Sequence, residues 1–182
     1  MYYDTTLSEL RLYKNNAWEA VKKGGMSEVD WALNPSACLE VLDIPVNTRY
    51  IATYFVDRTG NMDAIILGCY NTHQNDAVTV STYDPSTGEE TILGSFTVTS
   101  NKENPIIVTF TDPLPVVFGT NIRIGFCFTA KHADTRIRCS NMLTQSYNWR
   151  VRTFSGASGD ITWGNGTAVS TLPSIGFHYD CG

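Results

Sequence analysis

The 182-residue chain has no apolar run approaching the roughly 18 residues that span a bilayer, so membrane insertion is not expected. It has no Cys-x-x-Cys pair. Its cysteines, Cys38, Cys69, Cys127, Cys139 and Cys181, are odd in number and scattered, which argues against a zinc motif. The first residues, Met-Tyr-Tyr-Asp-Thr-Thr, show neither a charged nor an apolar signal region, so synthesis in a cytoplasm and free thiols are expected, with most cysteines acting as small buried hydrophobes. Charge is scarce at 17%, below the roughly 25% of soluble domains. Positive charge is scarcer still, with 13 Lys and Arg against 18 Asp and Glu and a net charge of −5. That balance excludes nucleic-acid binding through a general basic footprint. Gly-x-Ser-x-Gly, His-Glu-x-x-His and Walker-type segments are all missing, so the expectation is a non-enzymatic protein without a cofactor.

What is present is period-two alternation. From Pro105 to Ala130, Ile106, Val108 and Phe110 alternate with Ile107, Thr109 and Thr111. Ile122, Ile124, Phe126 and Phe128 then alternate with Arg123, Gly125 and Cys127. This is the pattern of strands with one face buried and the other wet. Asp112-Pro113-Leu114-Pro115 and Gly119-Thr120-Asn121 supply turn chemistry between the two runs. Further strands are expected at Cys38–Ile44, Arg49–Val56, Ala64–Tyr70, Ala77–Tyr83, Thr91–Thr99, Thr135–Cys139, Tyr147–Phe154, Asp160–Trp163 and Pro173–Cys181. Asp84-Pro85-Ser86-Thr87-Gly88 is a strong turn. Turn signals every 8–12 residues or so favour an all-β antiparallel sandwich or barrel over βαβ units.

Residues 1–24 form a separate unit. Two short runs, Leu10–Lys14 and Ala17–Val21, flank Asn15-Asn16, which predicts a hairpin arm, since Asn tolerates positive φ. An isolated hairpin is marginal in water and must lean on its own domain or on a neighbouring subunit. Residues 25–37 read as a linker in which Ser27 caps one helical turn over 27–33, ended by Asn34-Pro35. Residues 38–182 form the β-domain.

The run Tyr3-Asp4-Thr5-Thr6-Leu7-Ser8-Glu9-Leu10-Arg11-Leu12-Tyr13-Lys14-Asn15-Asn16-Ala17-Trp18 resembles a short motif recurrent in bacteriophage tail-fibre and other virion proteins. That resemblance implies a small virion accessory protein, made in the host cytoplasm and located in the virion. It would decorate a capsid or associate with a tail or fibre, attached to other virion proteins through Tyr3, Leu7, Leu12, Tyr13 and Trp18. By the same analogy it would be a homo-oligomer, with a trimer favoured. Residues 64–130, with Leu93-Gly94-Ser95-Phe96-Thr97-Val98, Val108-Thr109-Phe110 and Gly119-Thr120, resemble a jelly-roll pattern of phage and lectin-like modules. The fold expected is therefore an antiparallel jelly-roll-like β-sandwich with an N-terminal β-hairpin arm.

Two further features single out residues. Lys131 to Arg152 contains five basic residues and one acid, Asp134, so it carries +4 while the rest of the chain carries −9. If Thr135–Cys139 and Tyr147–Phe154 pair, then Arg136, Arg138, Arg150 and Arg152 share a face that seeks acidic partners at a subunit interface. The glycine-rich loops at 155–160 and 163–167 place Trp149, Asp160, Trp163 and Asn165 near one another, a set able to stack on and hydrogen-bond a host-surface glycan. This is the alternative function, a carbohydrate- or receptor-binding module. His73, His132 and His178 lie far apart, each in or near a loop, and no metal site is expected from them.

Overall fold

A computed structural model describes residues 2–4, 9–14, 17–20, 28–31, 38, 40–101, 105–141 and 150–180. In chain order the strands are β1 (Tyr2–Asp4), β2 (Glu9–Lys14), β3 (Ala17–Ala20), β4 (Glu28–Trp31), β5 (Glu40–Leu42), β6 (Thr48–Phe55), β7 (Gly60–Leu67), β8 (Cys69–Tyr70) and β9 (Ala77–Tyr83). They continue as β10 (Glu90–Thr97), β11 (Ile106–Val116), β12 (Asn121–Ala130), β13 (Arg136–Asn141), β14 (Arg150–Ser155), β15 (Thr167–Val169), β16 (Thr171–Pro173) and β17 (Ile175–Asp180). Among the described residues there is no α-helix. The helical turn expected over 27–33 is replaced by β4, which adds antiparallel to β17 with Trp31 opposite Gly176. A neighbouring strand edge has overridden a weak local cap signal.

The fold is an all-β antiparallel sandwich. A six-stranded sheet runs β10-β9-β12-β6-β14-β15 and a four-stranded sheet runs β11-β7-β17-β4. The chain crosses between them from β6 to β7, from β10 to β11 and from β11 back to β12, which is the jelly-roll-like habit. Their apolar faces share one core. The larger sheet contributes Tyr50, Ala52, Tyr54, Val78, Val80, Ile124, Phe126 and Phe128, and the smaller Met62, Ile65, Leu67, Val108 and Phe177. Tyr54 and Phe177 bridge the layers with ring centroids 4.6 Å apart. A further four-stranded sheet, β16-β13-β5 with β8 also on β13, lies beside them. The N-terminal strands form a sheet of their own, β1-β2-β3, with Lys14 opposite Ala17. The expected hairpin is there, and β1 extends it.

The two long alternating runs become β11 and β12, on opposite sheets. β11 alternates buried and exposed from Ile106 to Phe110 and then continues through Asp112–Pro115, where a turn was expected. A register shift between Thr109 and Leu114 absorbs Pro113, and Pro115 stands in register opposite Asn61. Pro113 and Pro115 are tolerated because β11 is an edge strand. In β12, Ile124 to Phe128 are buried on both faces, so the expected wet face is covered. β6 is likewise buried on both faces from Arg49 to Ala52.

Cys38, Cys69, Cys127 and Cys139 are buried thiols that form no disulfide. Burial pushes the Cys69 thiol up to about 12 and those of Cys127 and Cys139 up to about 11. Thiolates are the reactive form. In a Cys181→Ser background, Ellman's reagent should therefore find no fast-reacting thiol in the native protein and four after unfolding in guanidinium. Rapid labelling of the folded protein would contradict this packing.

Candidate functional site

The second face of the six-stranded sheet carries an arginine–aromatic shelf. Strand alternation points Arg49 and Ile51 of β6 away from the main core, where Ile51 packs with Tyr83, Phe154 and Ile161, and Trp163 closes the cluster. The segment from Ser155 to Gly166 folds over this face. Arg49 is 6% exposed and holds the segment down, donating to the carbonyls of Gly159 and of Ser155, the latter at 3.3 Å. Its guanidinium lies 6.0 Å from the ring centres of both Tyr83 and Phe154. Arg123 donates to the Pro85 carbonyl at 3.0 Å and sits 4.6 Å from the Trp163 ring centre. Arg152 donates to the Gly166 carbonyl at 2.6 Å and lies 5.5 Å from the same ring. Among the described residues these three cations meet carbonyls and aromatic faces, and no carboxylate within ion-pair distance. Burial lowers the Arg123 pKa, opposed by the field of Asp84.

A turn completes the shelf. Asp84 Oδ1 accepts from the Ser86 hydroxyl at 2.5 Å and from the backbone N–H groups of Thr87 at 2.7 Å and Ser86 at 2.8 Å, which holds its carboxyl well below the usual range. Glu90 accepts from the Tyr83 hydroxyl at 2.9 Å and from the Gly159 N–H, and its own N–H donates to Asp160 at 3.0 Å. Burial first, then the Glu90 bond, pushes the Tyr83 phenol up.

Three of the residues marked for glycan binding meet here. Asp160 is exposed and its carboxylate joins the two loops. Asn165 is exposed at the end of a 3-10 turn, Trp163–Asn165, which stands where a strand was expected over 160–163. Trp163 is half-buried, already in contact with Phe154, 6.0 Å away, and with two guanidinium groups. Trp149 lies outside the described residues. Arg49, Tyr83, Arg123 and Phe154 escaped the sequence reading. The available signal was Arg49-Tyr50-Ile51-Ala52, apolar in both phases after an arginine, as in a strand covered on both sides.

The four arginines marked for a subunit interface do not share a face. β13, with Arg136 and Arg138, pairs with β5, β8 and β16, whereas β14, with Arg150 and Arg152, pairs with β6 and β15. The two strands enter different sheets because non-local pairing, not sequence proximity, selects their neighbours. Arg136 lies 3.5 Å from Asp43, Arg138 stacks 5.4 Å from the Tyr70 ring centre, and Arg152 belongs to the shelf. Of the attachment residues, Tyr3 lies in β1, Leu12 and Tyr13 in β2, and Trp18 in β3, while Leu7 is outside the described residues.

A second polar cluster joins the loops after β8 and β12. His73 and His132 each open a four-residue turn, closed by N–H donation from Asp76 to the His73 carbonyl and from Thr135 to the His132 carbonyl, both at 3.1 Å. Asp76, 1% exposed, ties the turns together. Its carboxylate accepts from the His73 N–H at 2.8 Å, the His132 N–H at 2.7 Å and the Thr135 hydroxyl at 2.5 Å. The two imidazoles stack with centroids 3.9 Å apart. Lys131 pairs with Asp43 at 2.8 Å and also donates to the carbonyls of Thr135 at 3.1 Å and His132 at 3.4 Å. His178 is not part of this group, and its Nδ1 engages Asp63. No protein-family model matches the chain, and no curated protein matches it in sequence.

Proposed function

We propose that this is a non-enzymatic structural protein of a virus particle, anchored by its N-terminal sheet and presenting the sandwich outward. One observation carries the reading: among the described residues β1, β2 and β3 pair as strands only with one another, so neither sheet of the sandwich includes them. Three short strands are marginal alone and gain stability by packing against something. The resemblance of residues 3–18 to a tail-fibre motif names other virion proteins as that surface. A homo-oligomer is part of the same proposal.

The test is deletion of residues 1–24. Particles assembled with the truncated chain should carry at least tenfold less of it, while circular dichroism of the purified fragment keeps its β-sheet signal. Undiminished incorporation would overturn the reading. The glycan-binding alternative draws on the shelf, where Trp163 is half-exposed beside exposed Asp160 and Asn165. The same fragment on a broad glycan array decides it: binding lost in Trp163→Ala supports a lectin-like role, and silence leaves particle display alone.

A further inference from the structure

We propose that His73, His132 and Asp134 form a binding site for one late first-row divalent cation, with zinc the best fit to two imidazoles and a carboxylate. One donor atom from each residue lies within 4.8 Å of the other two. Tetrahedral zinc, with bonds of about 2.0–2.2 Å, sets its ligand atoms about 3.4 Å apart. His132 Nδ1 and Asp134 Oδ2 are already at 3.7 Å. The rest of the closure needs only side-chain rotation, because Asp76 pins both turns through their backbones.

The protonation pattern suits a metal. The Thr135 hydroxyl donates to Asp76, so it accepts from His73 Nδ1 at 3.2 Å. That places the proton on Nδ1 and leaves the His73 Nε2 lone pair free. A buried carboxylate acting through a hydroxyl on an imidazole is the outer-shell arrangement that orients metal-binding histidines. His132 Nδ1 accepts from the Asp134 N–H at 3.2 Å, so it carries no proton, and a cation taking this nitrogen would displace that hydrogen bond. His132 and Asp134 are exposed and His73 is half-buried, so a cation reaches them directly from solvent. Three protein donors leave a fourth position for water or a donor from another molecule. Because the ligands come from two loops, the ion would cross-link the β8–β9 and β12–β13 connections and stabilise the native state by mass action.

The test uses the full chain stripped with chelator and titrated with zinc chloride by calorimetry. One zinc per chain is expected, with a rise in Tm. Cobalt(II) in its place should give the intense visible bands of a four- or five-coordinate site. The double substitution His73→Ala and His132→Ala should weaken zinc binding at least 100-fold and Asp134→Asn about tenfold, while His178→Gln leaves it unchanged. A readout on the unaltered protein guards against misfolded variants: zinc should shift the imidazole proton resonances of two of the three histidines and spare His178. No binding below millimolar zinc, equal binding by the double variant, or a shifted His178 resonance would each overturn the proposal.

Discussion

Gly88→Ala should cost about 3.5–6 kcal/mol of stability, most of it through one contact. Gly88 has φ +79°, and a Cβ there would lie 1.7 Å from the carbonyl oxygen of Ile161. The left-handed conformation alone costs an alanine about 1–2 kcal/mol. Ile161 must then withdraw, breaking its N–H donation to the Gly88 carbonyl at 2.9 Å, a bond worth about 1 kcal/mol net. It also exposes a side chain whose burial contributes about 1.5–3 kcal/mol. Gly119→Ala is the control, since Gly119 has φ +83° but no atom within 4 Å of the new Cβ. It should lose only the conformational part. Urea unfolding of both variants measures the difference, and equal losses would mean that the 155–166 segment does not rest on the 84–88 turn. Because domains hold about 5–15 kcal/mol in all, Gly88→Ala should leave the shelf partly open under native conditions, seen as a smaller m-value.

Phe126→Ala should cost about 3–5 kcal/mol, the range for emptying a buried phenylalanine site. Phe126 is 1% exposed on an interior strand, with the Tyr50 ring 6.0 Å and the Phe128 ring 6.2 Å away. Neighbours fixed by ladders on both sides cannot collapse into the void. Phe55→Ala removes the same ring from a site 53% exposed and should change stability by about 0.5 kcal/mol or less. A loss below about 2 kcal/mol for Phe126→Ala would show that the sheets close over the gap.

The strands that sequence revealed are those whose alternation is local. Ala77–Tyr83 was legible residue for residue, with Val78 and Val80 facing the core, because a turn bounds it on each side and its period is unambiguous. The Asn15-Asn16 position between two short runs likewise gave the β2–β3 pairing. Pairing partners were not legible. Nothing local tells Arg138 that its strand joins β5, or Arg152 that its strand joins β6. Glu28–Trp31 reads locally as part of a capped helical turn, and only the edge of β17, which is distant in sequence, makes it a strand. Ile161 was expected in a strand, but it bonds to Gly88 across the shelf. The His73–His132 contact depends on Asp76, a residue that looks from sequence like one more loop acid and whose burial only the fold creates.

Any protein displayed in many copies holds like surfaces close together, and exposed strand edges are then a hazard, because their free N–H and C=O groups can zip chain to chain into fibres. β11 ends the hydrogen-bonded order of its sheet; β10 lies against it at Thr109, beside Gly94, and its exposed stretch begins at Thr111. In that stretch Pro113 and Pro115 are two positions that have no hydrogen to donate, and the register shift falls at Pro113. The segment that looked from sequence like a break between strands thus gives this end of the β11-β7-β17-β4 sheet poor geometry for templating another chain.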